Sequence, residues 1–241
     1  VSPNNEVSIV SNEISALVAP EQADTFDFRW FDIAFWQNNA IPVSAGGRGS
    51  AWFIDSGKQA WVLRLYKRGG VVSQLVSSSY LYLGTGKSRP FREFRILSEL
   101  YSSGFPVPEP IAAMVKRAGL VYTGAIIVGR ILNARPMGDC LQDLDTEAWR
   151  AVGKTVRRFH DAGVYHADLN CFNILLRGRE VFLIDFDKAR FFSEARNSSD
   201  EKWKAKNLKR LKRSIDKLYS SDTHTDVAPG WAALLTAYNP S

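Results

Sequence analysis

The sequence predicts an α+β protein in two lobes, the first β-rich and the second mostly helical. Three observations carry that reading. Up to Val128, short apolar runs are bounded by turn residues, the pattern of strands. Beyond Gly129, apolar residues recur at spacings of 3, 4 and 3, the pattern of helices that bury one face. The 241 residues, 45% hydrophobic and 23% charged, suffice for one large domain or two small lobes with a real core.

The elements follow in order. Phe26–Trp36 (FDFRWFDIAFW) is aromatic-rich and reads as a short helix or a packed N-terminal cap. Gly46, Gly47, Arg48, Gly49 and Ser50 form a flexible loop. Ala51–Ile54 and Trp61–Tyr66 read as strands around the turn Asp55-Ser56-Gly57-Lys58. An insertion opens at Arg68-Gly69-Gly70 and runs to Pro90. Phe91, Phe94, Leu97 and Leu100 or Tyr101 then have helical spacing, with Gly104 as the stop. Pro106, Pro108 and Pro110 stiffen an extended connector. Two further strands, Ile111–Lys116 and Leu120–Val128, surround Arg117-Ala118-Gly119. The lobes are expected to divide within Gly129–Asp145, giving an N-terminal lobe of 1–128 and a C-terminal lobe of 129–241. In the second lobe Trp149, Val152, Val156 and Phe159 form one helical stripe that ends at Gly163. Ile174–Leu176 and Val181–Ile184 are short buried strands joined by a turn at Gly178. Leu208, Leu211, Ile215 and Leu218 mark a last amphipathic helix.

Composition excludes several classes. The apolar runs Ile111–Val115 and Trp231–Leu235 have five residues, against the roughly 20 that a spanning helix needs. The first ten residues, VSPNNEVSIV, show no basic region before an apolar stretch, so no signal peptide is expected. Cys140 and Cys171 make neither a disulfide framework nor a zinc set, which favours a reducing compartment. The net charge is +6, but Lys202 to Lys217 alone holds eight basic residues and one acidic one, Asp216. The basicity is therefore local. It predicts an anionic surface or partner for that helix, or simply a solvated face, and lacks the interleaved aromatic residues of a nucleic-acid binder.

The residues that carry chemistry lie in Tyr165-His166-Ala167-Asp168-Leu169-Asn170-Cys171-Phe172-Asn173, followed by Asp185-Phe186-Asp187, which begins 17 residues after Asp168. Two carboxylates and a carboxamide thus flank two short strands, and a hairpin of that length brings their side chains to one end. A triphosphate needs this grouping, because Mg²⁺ neutralises it through hard oxygen ligands. Asn173 and Asp185 supply such ligands, and Asp168 is then free to accept a hydroxyl proton and aim that oxygen at the γ-phosphorus.

The pattern His166-x-Asp168-x4-Asn173 resembles the catalytic loop of the protein-kinase-like superfamily, and Asp185-Phe186-Asp187 stands where that superfamily has Asp-Phe-Gly. The stretches Trp61–Gly70, Arg92–Arg95, Pro106–Pro110, Gly163–Asn170 and Leu183–Arg190 further resemble the 3-deoxy-D-manno-octulosonic acid (Kdo) kinase family. That resemblance implies a bilobal kinase-like fold with an antiparallel sheet first and a reduced helical lobe second. It implies ATP-dependent phosphorylation of the Kdo sugar of a lipid A precursor at the 4-hydroxyl, by a peripheral enzyme on the cytoplasmic face of the bacterial inner membrane, in lipopolysaccharide core assembly. By the same resemblance Gly46, Gly47, Gly49 and Ser50 form the phosphate-covering loop. Glu93 pairs with the strand base, which is Arg64, or Lys67 if the register slips. ATP lies between the lobes with its adenine near Val128. Asp187 is either a second magnesium contact or a replacement for a flexible glycine.

The departures bear on substrate. Asn170 replaces the Lys usual in protein kinases, and only 56 residues follow Asp185, too few for the long activation segment that holds a peptide. No protein substrate is expected. Kdo bears a carboxylate, so Lys188 and Arg190 are expected to meet the acidic sugar, and the basic helix to meet lipid phosphates or the anionic membrane surface. Two alternatives remain: a kinase for heptose or another small molecule, and an inactive kinase-like module that binds nucleotide or lipid.

Overall fold

The computed structural model describes residues 6–43, 51–66, 79–192, 199–219 and 227–239, with backbone only at 199–201 and 219. The chain divides into two compact units. One comprises Val1–Gly104 with Pro108–Leu132; the other comprises Phe105–Val107 with Asn133–Ser241. The division at 132/133 falls within Gly129–Asp145. The three residues Phe105–Val107 belong with the second unit because the Leu183 N–H donates to the Pro106 carbonyl at 2.9–3.0 Å spacing typical of a ladder bond, here 3.0 Å.

The first unit is an antiparallel sheet with one long helix. Its strands are β1 (Val7–Ser11), β2 (Ile14–Val18), β3 (Ala40–Pro42), β4 (Ala51–Asp55), β5 (Ala60–Leu65), β6 (Tyr80–Leu81), β7 (Pro110–Ala118) and β8 (Val121–Gly129). The order is β1-β2-β7-β8-β5-β4-β3, with β6 also paired to β8. The aromatic segment packs onto this sheet through a short helix, α1 (Ile33–Trp36), and a 3₁₀ turn, Phe28–Phe31. Trp30, Phe31 and Trp36 are buried with Trp61, Leu63 and Ile127 in one core, and the Trp30 and Trp61 rings lie 4.9 Å apart. The long helix, α2 (Arg89–Ser102), starts with Pro90 in its first turn, where a missing N–H is harmless. Its buried stripe is Phe91, Phe94, Leu97 and Leu100, whereas Tyr101 is exposed.

The second unit holds α3 (Met137–Cys140), α4 (Thr146–Asp161), α5 (Ser199–Tyr219) and α6 (Ala228–Tyr238). A three-stranded sheet, β12-β11-β9, joins β9 (Arg135–Pro136), β11 (Ile174–Arg177) and β12 (Glu180–Leu183). A two-stranded ribbon pairs β10 (Val164–Tyr165) with β13 (Arg190–Phe191). Asp145 caps α4 by accepting from the Ala148 N–H at 2.7 Å. The stripe Trp149, Val152, Val156 and Phe159 is fully buried. Gly163 ends this helix at φ +72°, and a Cβ there would stand 2.4 Å from the Phe192 carbonyl oxygen, so only glycine admits the β10–β13 ribbon. Among the described residues no helix is long and apolar enough to cross a membrane.

Gly153, in the middle of α4, is explained by α6: a Cβ there would meet the Leu234 carbonyl oxygen at 2.2 Å. Glycine to alanine in a helix interior ordinarily stabilises by roughly 0.5–1 kcal/mol. Here the sign should reverse. Gly153→Ala is expected to lower the unfolding free energy by about 1–3 kcal/mol through overpacking, read from a denaturant melt against wild type.

Candidate active site

The β11–β12 hairpin sets the site of the second unit. Ile174 pairs with Leu183 at its open end, and the Ile184 N–H donates to the Asn173 carbonyl at 3.0 Å. Asn173 and Asp185 are thereby neighbours across the two strand ends. The Asn173 amide Nδ2 donates to the Asp168 carbonyl at 2.9 Å, which leaves its Oδ1 directed elsewhere. Asn170 closes the turn from Asp168: its Nδ2 donates to the Asp168 carbonyl at 3.0 Å, and its Oδ1 accepts from the Phe172 N–H at 2.9 Å and the Asn173 N–H at 3.2 Å. An Asx-type turn needs this short amide, and a lysine could not make it.

His166 is 2% exposed. Its Nε2 lies 2.9 Å from the Ile184 carbonyl oxygen. A carbonyl only accepts, so Nε2 carries the proton. The ring stands edge-on to Phe186 at 4.9 Å, and burial pushes its pKa down. It is a neutral tie between the loop and the strand end. Asp185 adopts φ +64° and Lys188 φ +63°. This left-handed conformation is uncommon for residues other than glycine, though Asp tolerates it better than most, and such strained positions gather at functional sites.

Helix α5 holds the loop from a second direction. The Asn207 Nδ2 donates to the His166 carbonyl at 2.7 Å. Its Oδ1 lies 3.2 Å from His160 Nε2, which must therefore be the donor. His160 Nδ1 in turn accepts from the Tyr238 hydroxyl at 2.7 Å. Ser214 Oγ accepts from the Cys171 N–H at 3.0 Å. Arg210 donates through Nε, at 3.0 Å, and through Nη2 to the same oxygen, Oδ1, of the Asp168 carboxylate. Sequence patterning does not single out Asn207, Arg210 or Ser214. Their only signal is three polar side chains spaced 3 and 4 beside the apolar stripe of Leu211 and Ile215. Cys171 is buried, and burial pushes its thiol pKa up, so it is no nucleophile.

In the first unit Arg64, on β5, forms an ion pair with Glu93 of α2. Glu93 is 3% exposed and also accepts from the Tyr66 hydroxyl. The Arg64 guanidinium lies 5.0 Å from the Tyr66 ring centre. Val128 sits on β8 opposite Val62, one residue before Gly129, whose N–H donates to the Glu109 carbonyl at 2.8 Å. Lys188 and Arg190 are exposed, with Arg190 opposite Tyr165 in the β10–β13 ribbon. Gly46, Gly47, Gly49, Ser50 and Lys67 lie outside the described residues.

The donor chemistry suits one kind of metal. Among the described residues no three or more His, Cys, Asp or Glu side chains converge into a cage. Mg²⁺ needs none, since it keeps several waters and is bound by one or two protein oxygens together with substrate phosphates. The Asn173 Oδ1 and the Asp185 carboxylate fit that requirement.

A sheet joined to one helix by a partly buried Arg–Glu pair, and a helical unit carrying the Asp168, Asn173 and Asp185 set, define the protein-kinase-like class of fold. Two solved structures agree in fold. One is WaaP in complex with acyl carrier protein, with a TM-score of 0.54, 15% identity and coverage of 91% of this chain and 86% of that one. The other is the Rio2 kinase–ADP/Mg²⁺–phosphoaspartate complex from Chaetomium thermophilum, with a TM-score of 0.50, 18% identity and coverage of 97% and 75%. Residues 33–238 match the model of the lipopolysaccharide kinase (Kdo/WaaP) family, and the chain belongs to that family. It is 41% identical over 214 residues to a 3-deoxy-D-manno-octulosonic acid kinase of Xanthomonas euvesicatoria pv. vesicatoria, covering 88% of this chain and 84% of the relative. It is 42% identical over 211 residues to the kinase of the same name from Stenotrophomonas maltophilia, covering 87% and 83%.

The relay behind the loop predicts a pH dependence. Burial, the largest effect, pushes the His160 pKa from its ordinary 6.5 down to about 4. Between those values the unfolded chain binds a proton that the folded chain refuses, so stability falls as pH is lowered from 6.5 and the loss is complete below 4. His166 shifts in the same direction. The loss due to His160 should be on the order of 3 kcal/mol. Urea melts across that window should show it, and His160→Gln should remove its share of the slope.

Proposed function

We propose that this chain is a kinase that transfers the γ-phosphoryl group of ATP to the 4-hydroxyl of the Kdo sugar on a lipid A precursor. The observation that carries this reading is the hairpin end that ties Asn173, Asp185 and the Asp168 backbone together, in a chain 41% identical to proteins named for that activity. Magnesium-ATP supplies the transferable group and the neutralising charge. Asn173 Oδ1 and Asp185 hold the metal. Asp168 orients the acceptor hydroxyl through its second carboxylate oxygen and takes its proton as the sugar oxygen bonds to phosphorus and the bond from phosphorus to the leaving diphosphate breaks. Arg64, fixed by Glu93, steadies the phosphates, with Gly46, Gly47, Gly49 and Ser50 as the covering loop and Val128 beside the adenine. Arginine is well suited to the first task, because its planar fork binds phosphate and carboxylate at once. Lys188 and Arg190 add positive charge on the acceptor side.

The same reading places the enzyme peripherally on an anionic membrane. The acceptor is a lipid, and α5 presents Lys202, Lys206, Lys209 and Arg213 to solvent. Each basic side chain near such a surface contributes about 1 kcal/mol.

Two outcomes are expected. Asp168→Ala should lose roughly 10²–10⁴-fold in turnover of a Kdo-lipid acceptor while a magnesium-ATP thermal shift persists; Asp185→Ala should lose that thermal shift. Near-wild-type turnover by Asp168→Ala would remove it from the reaction. Separately, the triple variant Lys206→Glu, Lys209→Glu and Arg213→Glu should stay in the supernatant when mixed with phosphatidylglycerol vesicles that sediment the wild type.

A further inference from the structure

The pair between Arg210 and Asp168 is built in an unusual way. Both guanidinium donors, Nε and Nη2, meet on Oδ1. A pair serving stability alone does best in the parallel fork, one N–H to each oxygen. Here Asp168 Oδ2 takes no hydrogen bond among the described residues. Arg210 and Asp168 side chains are 50% and 48% exposed, and pairs so exposed add little to folding. The geometry therefore leaves an open carboxylate oxygen and unused guanidinium N–H groups side by side at the surface of the catalytic loop. Helix α5 is not free to drift from there, because Asn207 and Ser214 hold the loop one turn to either side.

We propose that Arg210 is the residue that selects an acidic acceptor: it bridges Asp168 Oδ1 to the acceptor carboxylate and so presents the acceptor hydroxyl to Asp168 Oδ2. This rests on the reading above, in which the acceptor is an ulosonic acid. The chemistry is complementary in two ways. A guanidinium offers five N–H donors in a rigid plane, so it can hold two carboxylates together. Without it, the acceptor carboxylate would approach Asp168 as like charge to like charge. A neutral sugar gains nothing from the remaining donors. Lys188 and Arg190 lack such a fixed relation to Asp168: Arg190 is set in the β10–β13 ribbon and neither bonds to the Asp168 carboxylate.

The test compares two acceptors on the full chain with magnesium-ATP: the Kdo glycolipid, and the same glycolipid with its Kdo carboxylate converted to the primary carboxamide. Wild type should favour the acid by about 10- to 100-fold in kcat/KM, as expected for charged hydrogen bonds, chiefly through acceptor KM. Arg210→Gln should turn over acid and amide alike, with ATP KM unchanged. Arg210→Lys, which keeps the charge but loses the fork, should retain only part of the preference. An acid-to-amide ratio in Arg210→Gln equal to that of wild type overturns the proposal, as does a wild type that shows no preference. If Arg210→Gln melts below the assay temperature, the ratio of Arg210→Lys decides by the same criterion. A wild type that phosphorylates neither glycolipid yet hydrolyses or binds magnesium-ATP overturns the acceptor reading itself, and this inference with it; that result is distinct from a ratio unmoved by substitution.

Discussion

One hydrogen bond, from the Nε2–H of the buried His166 to the Ile184 carbonyl, connects the loop that carries Asp168 to the strand end that carries Asp185. It works because the ring is neutral and dry. In a low-dielectric setting such a bond is stronger than in water, and its loss would leave a buried donor or acceptor unmet. The aromatic layer of Phe105, Phe159 and Phe186 excludes water around it: Phe105 and Phe159 ring centres lie 4.9 Å apart, and Phe186 meets His166 at 4.9 Å. Phe186 thus serves packing, while the residues on either side of it in sequence, Asp185 and Asp187, remain only partly buried.

The loop is held on its other side by α5, and behind α5 by a chain of neutral bonds. Tyr238 donates to His160, His160 to Asn207, and Asn207 to the His166 carbonyl. Helix α6 therefore supports the loop that carries Asp168 at three removes. Close packing makes this possible. Gly153 and Gly230 let α4 and α6 approach until a Cβ at either position would collide with the neighbouring helix. In the first unit a comparable arrangement surrounds Glu93. A carboxylate this buried needs compensation, and Arg64 and the Tyr66 hydroxyl provide it.

Much of the fold could be read from the residues. β4, β5, β7, β8, β11 and β12 all follow from short apolar runs between turn residues, and α2, α4 and α5 from apolar residues three or four apart. The hairpin β1–β2 could not, because β1 is largely exposed and its sequence, VSIVS, reads as readily as a loop. α6 (APGWAALLTAY) has no periodicity to find, since small residues line most of it. β3, β6, β9, β10 and β13 have two or three residues each, below the length at which any period exists. The candidate site divides in the same way. Asp168, Asn173 and Asp185 stand in a local pattern, whereas the Arg64–Glu93 pair is legible only through the family resemblance, which leaves Lys67 open as the base until the structure pairs Arg64 with Glu93. Arg210 looks, in sequence, like one more lysine-helix cation.

The sequence by itself determined the chemistry on offer: which oxygens and guanidinium groups occur, in what order, and on which short-range element, because turns and hairpins are set by neighbours a few residues apart. Tertiary structure decided which distant side chain meets them. Asp168 and Arg210 are separated by 42 residues, and nothing in local propensity says which way a helix turns once its apolar stripe is buried. That orientation came from packing, where Leu211 and Ile215 had to leave water and carried Asn207, Arg210 and Ser214 with them against the loop.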